Sequence, residues 1–354
     1  LKITIMTYFV SLVCIIKDED YLEEFIIYHY LQGVQHFFIY DNESSVPIKE
    51  RLNHYFYHSL CTIIDFPGKI KQIEAYNHCL KHYGKKTNWL IIIDGDEFIY
   101  PKLHKNLVDF LKDYDEFHAI GINWVNFGSS HFEKKQKGYL TENYIYCQSN
   151  QNKHIKTICK PTFVDKIINP HYVILNTCMK HYIDAKKRMI TDKSFNEKYT
   201  IDIIQINHYW GKSYEEMNQK IERGRATMNS KRVMPKNYHE LYNDKIDESF
   251  KKKFIDKIDY IAQALNTHPK IYKLLNPDLD KYYKDDLDKY TIHLINNGIQ
   301  EKRPFKIQHV YKNFNIQYYK KNYNDLKNLN HIQLIEHYLN SGLKENRVYD
   351  RLMN

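Results

Sequence analysis

Apolar and polar positions fall in blocks along the first 125 residues, and the period changes from block to block. Tyr8–Ile16 is an unbroken apolar run, the pattern of a strand buried on both faces. Asp20-x-x-Glu23 then has the form of a capping box, ahead of Leu22, Phe25, Ile26 and Tyr30 on one helical face. Gly33 stops that helix. Val34–Tyr40 reads as a second strand, Pro47 opens a helix through Leu52 and Tyr55, and Thr62–Phe66 reads as a third strand. Lys71–His82 has a helical period, and Trp89–Ile93 reads as a fourth strand. This alternation predicts an α/β fold of Rossmann-like type, a mainly parallel sheet with helices on both faces. Ligands of such sheets bind beyond the carboxyl ends of the strands. Those ends are Lys17–Asp20, Asp41–Ser45, Asp65–Lys69 and Asp94–Glu97.

Further along, Ala119–Trp124, Tyr144–Cys147, Ile155–Cys159 and Ile203–Ile206 read as strands. Lys212–Met228 reads as a helix with its own capping box, Ser213-x-x-Glu216. The last part carries a weak repeat: the segment from His293 through Gly298 to Arg303 matches that from His337 through Gly342 to Arg347. Each copy reads as a short amphipathic helix stopped by its glycine. The pattern divides the chain into a catalytic-type domain over 1–232, a helical connector over 233–270 and a small C-terminal helical region over 271–354.

Composition narrows the partners. There are 52 Lys+Arg against 43 Asp+Glu, a net charge of +9, but the basic residues are dispersed and no basic-aromatic motif emerges. The 32 Tyr and the Lys-heavy basic set equally follow from an AT-rich genome, viral ones included, so no nucleic-acid partner is expected. Six cysteines without a Cys-x-x-Cys pair read as free thiols of a reducing, cytoplasmic compartment, host cytoplasm if the source is viral. No apolar run reaches the roughly 18–20 residues of a transmembrane helix, so the expectation is a soluble or peripherally membrane-associated protein. The C-terminal helices expose Tyr, Leu and Ile, a route to a homodimer.

The sharpest chemical signal is Trp89-Leu-Ile-Ile-Ile-Asp94-Gly-Asp96-Glu97, an apolar strand running into three carboxylates. Two Asp one residue apart at a strand end suit a divalent cation, although Asp-Gly-Asp is also ordinary turn chemistry. The second is Ile206-Asn-His208-Tyr-Trp-Gly-Lys212, which sets an imidazole at a strand end and a cation just before a helix start. The third joins Lys17-Asp18-Glu19 to Asp41-Asn42-Glu43-Ser44-Ser45, polar groups that suit a nucleoside or, equally, local capping.

Together these residues resemble nucleotide-sugar glycosyltransferases of the GT-A type, the family 92 and family-2-like group most of all. Further matching pieces are Glu24 with His29, Gly33-Val34, Gln72 with Tyr76, Cys79-Leu80, Lys156–Pro161, Pro170-His171, Glu215-Glu216, Lys220 and Arg223-Gly224-Arg225. The likeness spans roughly residues 8–228 and departs from the family pattern at Asp18, where Asn is usual, and Lys160, where Arg is usual. It implies that Asp94, Asp96 and His208 hold Mn²⁺ or Mg²⁺ on the diphosphate of a UDP-sugar. It places Lys17, Glu19, Asp41, Gln72, Asp94, Lys156, Lys160 and Lys212 around that nucleotide sugar. Trp124 and His171 would face sugar, and Glu142, Glu133 or Asp165 would be the base of an inverting transfer of a hexose, galactose or glucose favoured, to a glycan or glycoprotein hydroxyl. Two other readings stand beside it: a nucleotidyltransferase or pyrophosphorylase, and an inactive glycan-binding scaffold on the same fold.

Overall fold

The structure is a computed structural model that describes residues 7–176, 181–192, 194–224 and 232–350. It forms two compact units that part between Ile258 and Asp259, with His54–Phe56 grouped with the second. The expected connector is therefore divided: its residues through Ile258 pack within the first unit, where Lys245–Ile246 pairs as a strand with Tyr146–Cys147.

In the first unit β1 (Tyr8–Ile16), β2 (His36–Asp41), β3 (Cys61–Asp65) and β4 (Thr87–Ile92) lie parallel in the order β3-β2-β1-β4. They alternate with α1 (Leu22–Leu31), α2 (Ile48–Arg51), α3 (Tyr55–Leu60) and α4 (Gln72–Tyr83). The chain then adds β5 (Glu97–Pro101), α5 (Leu107–Lys112), β6 (Ala119–Asn126), α6 (Leu140–Asn143), β7 (Tyr146–Cys147) and β8 (Ile155–Cys159). A hairpin of β9 (Val164–Asn169) and β10 (Tyr172–Leu175) follows, then β11 (Tyr182–Asp184), β12 (Ile204–His208), α7 (Tyr214–Arg223), β13 (Lys245–Ile246) and α8 (Ser249–Leu265). Among the described residues nine strands make one sheet, which continues from β4 as β8-β6-β12-β5 with β11 beside β6. β8 runs antiparallel to both β4 and β6, and β5 antiparallel to β12. The class is the expected α/β, GT-A-type one.

The sheet is held by apolar layers on both faces. Val13, Phe38, Leu90 and Ile92 meet Ala75, Tyr76 and Cys79 of α4 on one face. On the other, Phe25 and Tyr28 of α1 pack on Phe98, and Phe250 and Phe254 of α8 close over Tyr28. Fully burying a side chain of this kind contributes about 1.5–3 kcal/mol. His29 lies in this aromatic layer, with Nδ1–H donating to Phe25 O (2.9 Å) and Nε2 accepting the Ile99 N–H (3.4 Å).

Two local expectations are corrected. No capping box forms at α1: Asp20 pairs with Lys135 (2.7 Å) and Glu23 with Arg51 (2.6 Å), so tertiary ion pairs win over the local bonds. The Pro47 helix ends at Arg51, and Tyr55–Leu60 is a separate helix. At α7 the capping box does form between Ser213 and Glu216, and Tyr144 Oη donates to the same Glu216 carboxylate (2.5 Å). The expected continuation of α7 from 225 to 228 lies outside the described residues.

The second unit holds α9 (Pro269–Leu275), α10 (Asp280–Tyr283), α11 (Leu287–His293), α12 (Ile316–Asn322) and α13 (His331–His337). The sequence repeat is a structural one. Tyr272 Oη meets His293 Nδ1 at 2.9 Å, and Tyr319 Oη meets His337 Nδ1 at 2.9 Å. Arg303 reaches Asp278 (2.9 Å) as Arg347 reaches Asp325 (2.8 Å). Gly298 and Gly342 each end a wide, π-type turn and leave room for the hydroxyl of Tyr272 or Tyr319.

Candidate active site

The strand order reverses direction between β1 and β4, because the chain winds outward through β2 and β3 and returns to the other side of β1 for β4. The carboxyl ends of these two strands therefore border an open crevice, the usual ligand position of such sheets. Glu19 follows β1 and Asp94-Gly95-Asp96 follows β4. A Cβ on Gly95 would meet the Ile16 terminal methyl at 2.5 Å and Glu19 Cγ at 3.3 Å, so the glycine lets these side chains pack closely on the Asp94–Asp96 turn.

Asp94 is held from two sides. Its Oδ1 accepts from Gln72 Nε2 (2.6 Å) and Tyr76 Oη (3.1 Å), and its Oδ2 from Lys156 Nζ (2.7 Å). Burial opposes its ionisation, and Lys156 overcomes that, holding the carboxyl below its ordinary range. Lys156 is itself almost wholly buried; burial pulls its ammonium down, but Asp94 and Glu97 together keep it above its usual value. Glu97 is fully buried, 3.5 Å from Lys156, and accepts the Asp94 N–H (2.9 Å). Burial, reinforced by Asp94 and Asp96, pushes its carboxyl well up.

Asp96 carries the other half of the site. Its Oδ2 accepts from Lys220 Nζ (2.6 Å), and its Oδ1 faces His208 Nε2 at 3.8 Å. Burial works against its charge, yet Lys220 and Lys212 hold it far below the ordinary carboxylate range. Lys212 pairs with Glu19 (2.5 Å), and Arg223 donates to the Asp18 carbonyl (2.8 Å), tying α7 to the end of β1.

Does this set suit a divalent cation? Burial drives the His208 pKa down to about 3, so the ring is neutral. Its Nδ1 lies 2.9 Å from Asn126 Oδ1 and must be the donor, which leaves a lone pair on Nε2 aimed at the Asp96 carboxylate. A neutral imidazole oriented by a second polar group and facing a carboxylate is a metal-ligand pair. Asp96 and His208 therefore fit. Asp94 is paired with Lys156 as Asp96 is with Lys220, and among the described residues no three His, Cys, Asp or Glu side chains gather into a metal-holding group.

Trp124 and His171 join the cluster. The Trp124 ring lies 4.3 Å from that of His208 and 5.0 Å from that of His171, with Lys156 Nζ 6.0 Å from its centre. His171 gives its Nδ1–H to Ile155 O (2.8 Å), and burial lowers its pKa to about 4. Other expectations are corrected. Lys160 pairs with Asp115 (2.7 Å) and lies over Trp89, at the amino end of β4. Asp41 accepts the N–H groups of Ser44 (3.0 Å) and Ile48 (2.9 Å), the capping alternative rather than a nucleoside contact. Gln72 orients Asp94 through its side-chain amide. Lys17 stays at the rim, its carbonyl bound by Arg223. None of the three expected bases touches the cluster: Glu133 is exposed beside His239 (3.4 Å), Asp165 is exposed on β9, and Glu142 lies on α6.

Lys220 and Asn126 are the residues that sequence reasoning left without a role. Lys220 was legible, for it lies on the same helical face as Ser213 and Glu216. Asn126 carries no local signal.

The family model of glycosyltransferase family 92 matches residues 11–253, a stretch that contains every element of this crevice. The chain belongs to glycosyltransferase family 92. A family 92 protein of Oryza sativa subsp. japonica is 30% identical over 213 residues, 58% of this chain and 34% of that one. One of Arabidopsis thaliana is 26% identical over 223 residues, 60% of this chain and 36% of its own length. The chain thus spans about a third of the length of these family 92 relatives. Among solved structures, Staphylococcus aureus TarS 1–349 in complex with UDP is 13% identical, with 96% of this chain and 89% of that one covered at a TM-score of 0.29. HddC from Yersinia pseudotuberculosis is 11% identical, with 49% and 90% covered at a TM-score of 0.32. Likeness at that level says nothing about function. Among the described residues no helix is long and apolar enough to cross a membrane, and the five described cysteines are free.

Proposed function

We propose that the first unit is a metal-dependent, inverting glycosyltransferase that moves a hexose, galactose or glucose, from a UDP-sugar to a hydroxyl of a glycan or glycoprotein. The observation that carries this is the neutral His208 facing Asp96 at the β1–β4 crevice of a family 92 chain. Mn²⁺ or Mg²⁺ held by Asp96 and His208 would supply Lewis-acid stabilisation of the departing diphosphate. Lys212 and Lys220, buried beside Asp96, would bind phosphate oxygens with charge that needs no reorganisation during transfer. Lys156, Gln72 and Tyr76 fix the Asp94 carboxylate as an acceptor for sugar hydroxyls. Trp124 and His171 wall the same space and exclude water from it.

Incubation with UDP-galactose or UDP-glucose and Mn²⁺ should release free UDP, and Asp96→Ala should abolish that release while keeping the native circular dichroism. Release of pyrophosphate would indicate nucleotidyl transfer instead, and full activity in a folded Asp96→Ala variant would remove the proposed metal role.

A further inference from the structure

A cavity of about 710 Å³ is lined by residues between Gln148 and His154, by Phe195 and Glu197, and by residues of the loop from Asn237 to Asp244. This volume falls in the range of sites that hold small molecules, roughly 300–1,000 Å³. It is wired to the reaction centre. His154, on its wall, stacks on Trp124 with centroids 5.2 Å apart, and Trp124 is in turn 4.3 Å from His208. The Tyr242 side chain lies close to Asn126, the same amide that orients His208.

The lining is chemically distinctive. Asn150 and Gln151 are exposed amides, each able to donate and accept at once, as paired sugar hydroxyls require. Phe195 is 36% exposed and stands edge-on to His154, an apolar face for the C–H side of a pyranose ring. Glu197, Glu240 and Asp244 outnumber Lys153, which is already paired with Glu197 at 2.5 Å. Asp244 accepts the Ser149 N–H (2.7 Å), which ties its loop to the Gln148–His154 segment. Tyr242 is held at a φ of 62°, a conformation that costs a non-glycine residue energy and that fixes its ring at the cavity wall.

We infer that this cavity is the acceptor site and that it selects an uncharged oligosaccharide over a sialylated or phosphorylated one. Amides and aromatic edges recognise hydroxyl-rich rings, and the carboxylate excess repels anions. The inference rests on the glycosyl-transfer reading of the neighbouring crevice.

The test uses the full chain loaded with UDP and Mn²⁺, titrated with lactose, cellobiose and N,N′-diacetylchitobiose, and with 3′-sialyllactose as the anionic probe. At least one neutral disaccharide should bind at millimolar concentration, and 3′-sialyllactose should not. Phe195→Ala and Gln151→Ala, both at exposed positions, should fold and should weaken that binding about tenfold each. Neutral binding that is indifferent to both substitutions, preference for the anionic probe, or no binding by any neutral probe to the UDP-loaded protein would each overturn the assignment. UDP binding measured in the same samples separates the two readings: its absence defeats the donor site and leaves the saccharide result to judge the cavity.

Discussion

At the scale of single residues, the crevice is a balance of buried charges. Asp94, Asp96 and Glu19 each have a lysine, and removing one member strands the other; breaking such a buried pair costs about 3–5 kcal/mol. Neutral histidines make the opposite choice. Burial drives His29 to about 3 and His36 to about 4, whereas an unfolded imidazole titrates near 6.5. Below about pH 6.5 the unfolded chain therefore takes up protons that the folded chain refuses. Their stabilising contribution is full above that pH and is lost as pH falls toward the folded values. Urea denaturation between about pH 7 and pH 4.5 should show stability falling by up to about 1.4 kcal/mol per pH unit for each such ring. His29→Leu should flatten the slope. A slope unchanged by that substitution would show that His29 is not held neutral.

At the scale of elements, what the sequence disclosed depended on whether a pattern was local. β1 to β4 and the helices between them were readable because each is a block with its own period. β5 was not, since Glu97–Pro101 follows Asp-Gly-Asp directly and merged with that motif. The choice between Lys156 and Lys160 was equally hidden. Lys156 lies near the start of β8 and Lys160 just past its end, about 13 Å apart at roughly 3.3 Å per residue, and only the antiparallel partner decides which end meets Asp94. Asp96 and His208 were legible as chemistry at strand ends, while the capture of Asp94 by Lys156 required tertiary structure. In the second unit the repeated glycines read as helix stops, but their cause is the tyrosine hydroxyl beneath each one. Gly298→Ala should thus destabilise the second unit by more than the gain of about 0.4–1 kcal/mol such a change brings where it fits. Tyr272→Phe in the same chain should recover part of the loss, because the colliding oxygen is gone. Equal melting temperatures for wild type and Gly298→Ala would refute this packing argument.

At the scale of the whole molecule, the charge of +9 has a local use. Lys156, Lys212 and Lys220 serve the crevice. The family match ends at residue 253, close to where the first unit ends, so the repeats lie outside the family 92 match and within the second unit. The account turns on whether the β1–β4 crevice takes a nucleoside diphosphate through a metal. Isothermal titration of UDP with and without Mn²⁺ measures this directly, on the wild-type chain and on Asp96→Asn. The account predicts binding that Mn²⁺ strengthens and that Asp96→Asn deprives of its metal dependence. A folded wild-type chain that takes up no UDP in either condition would contradict it.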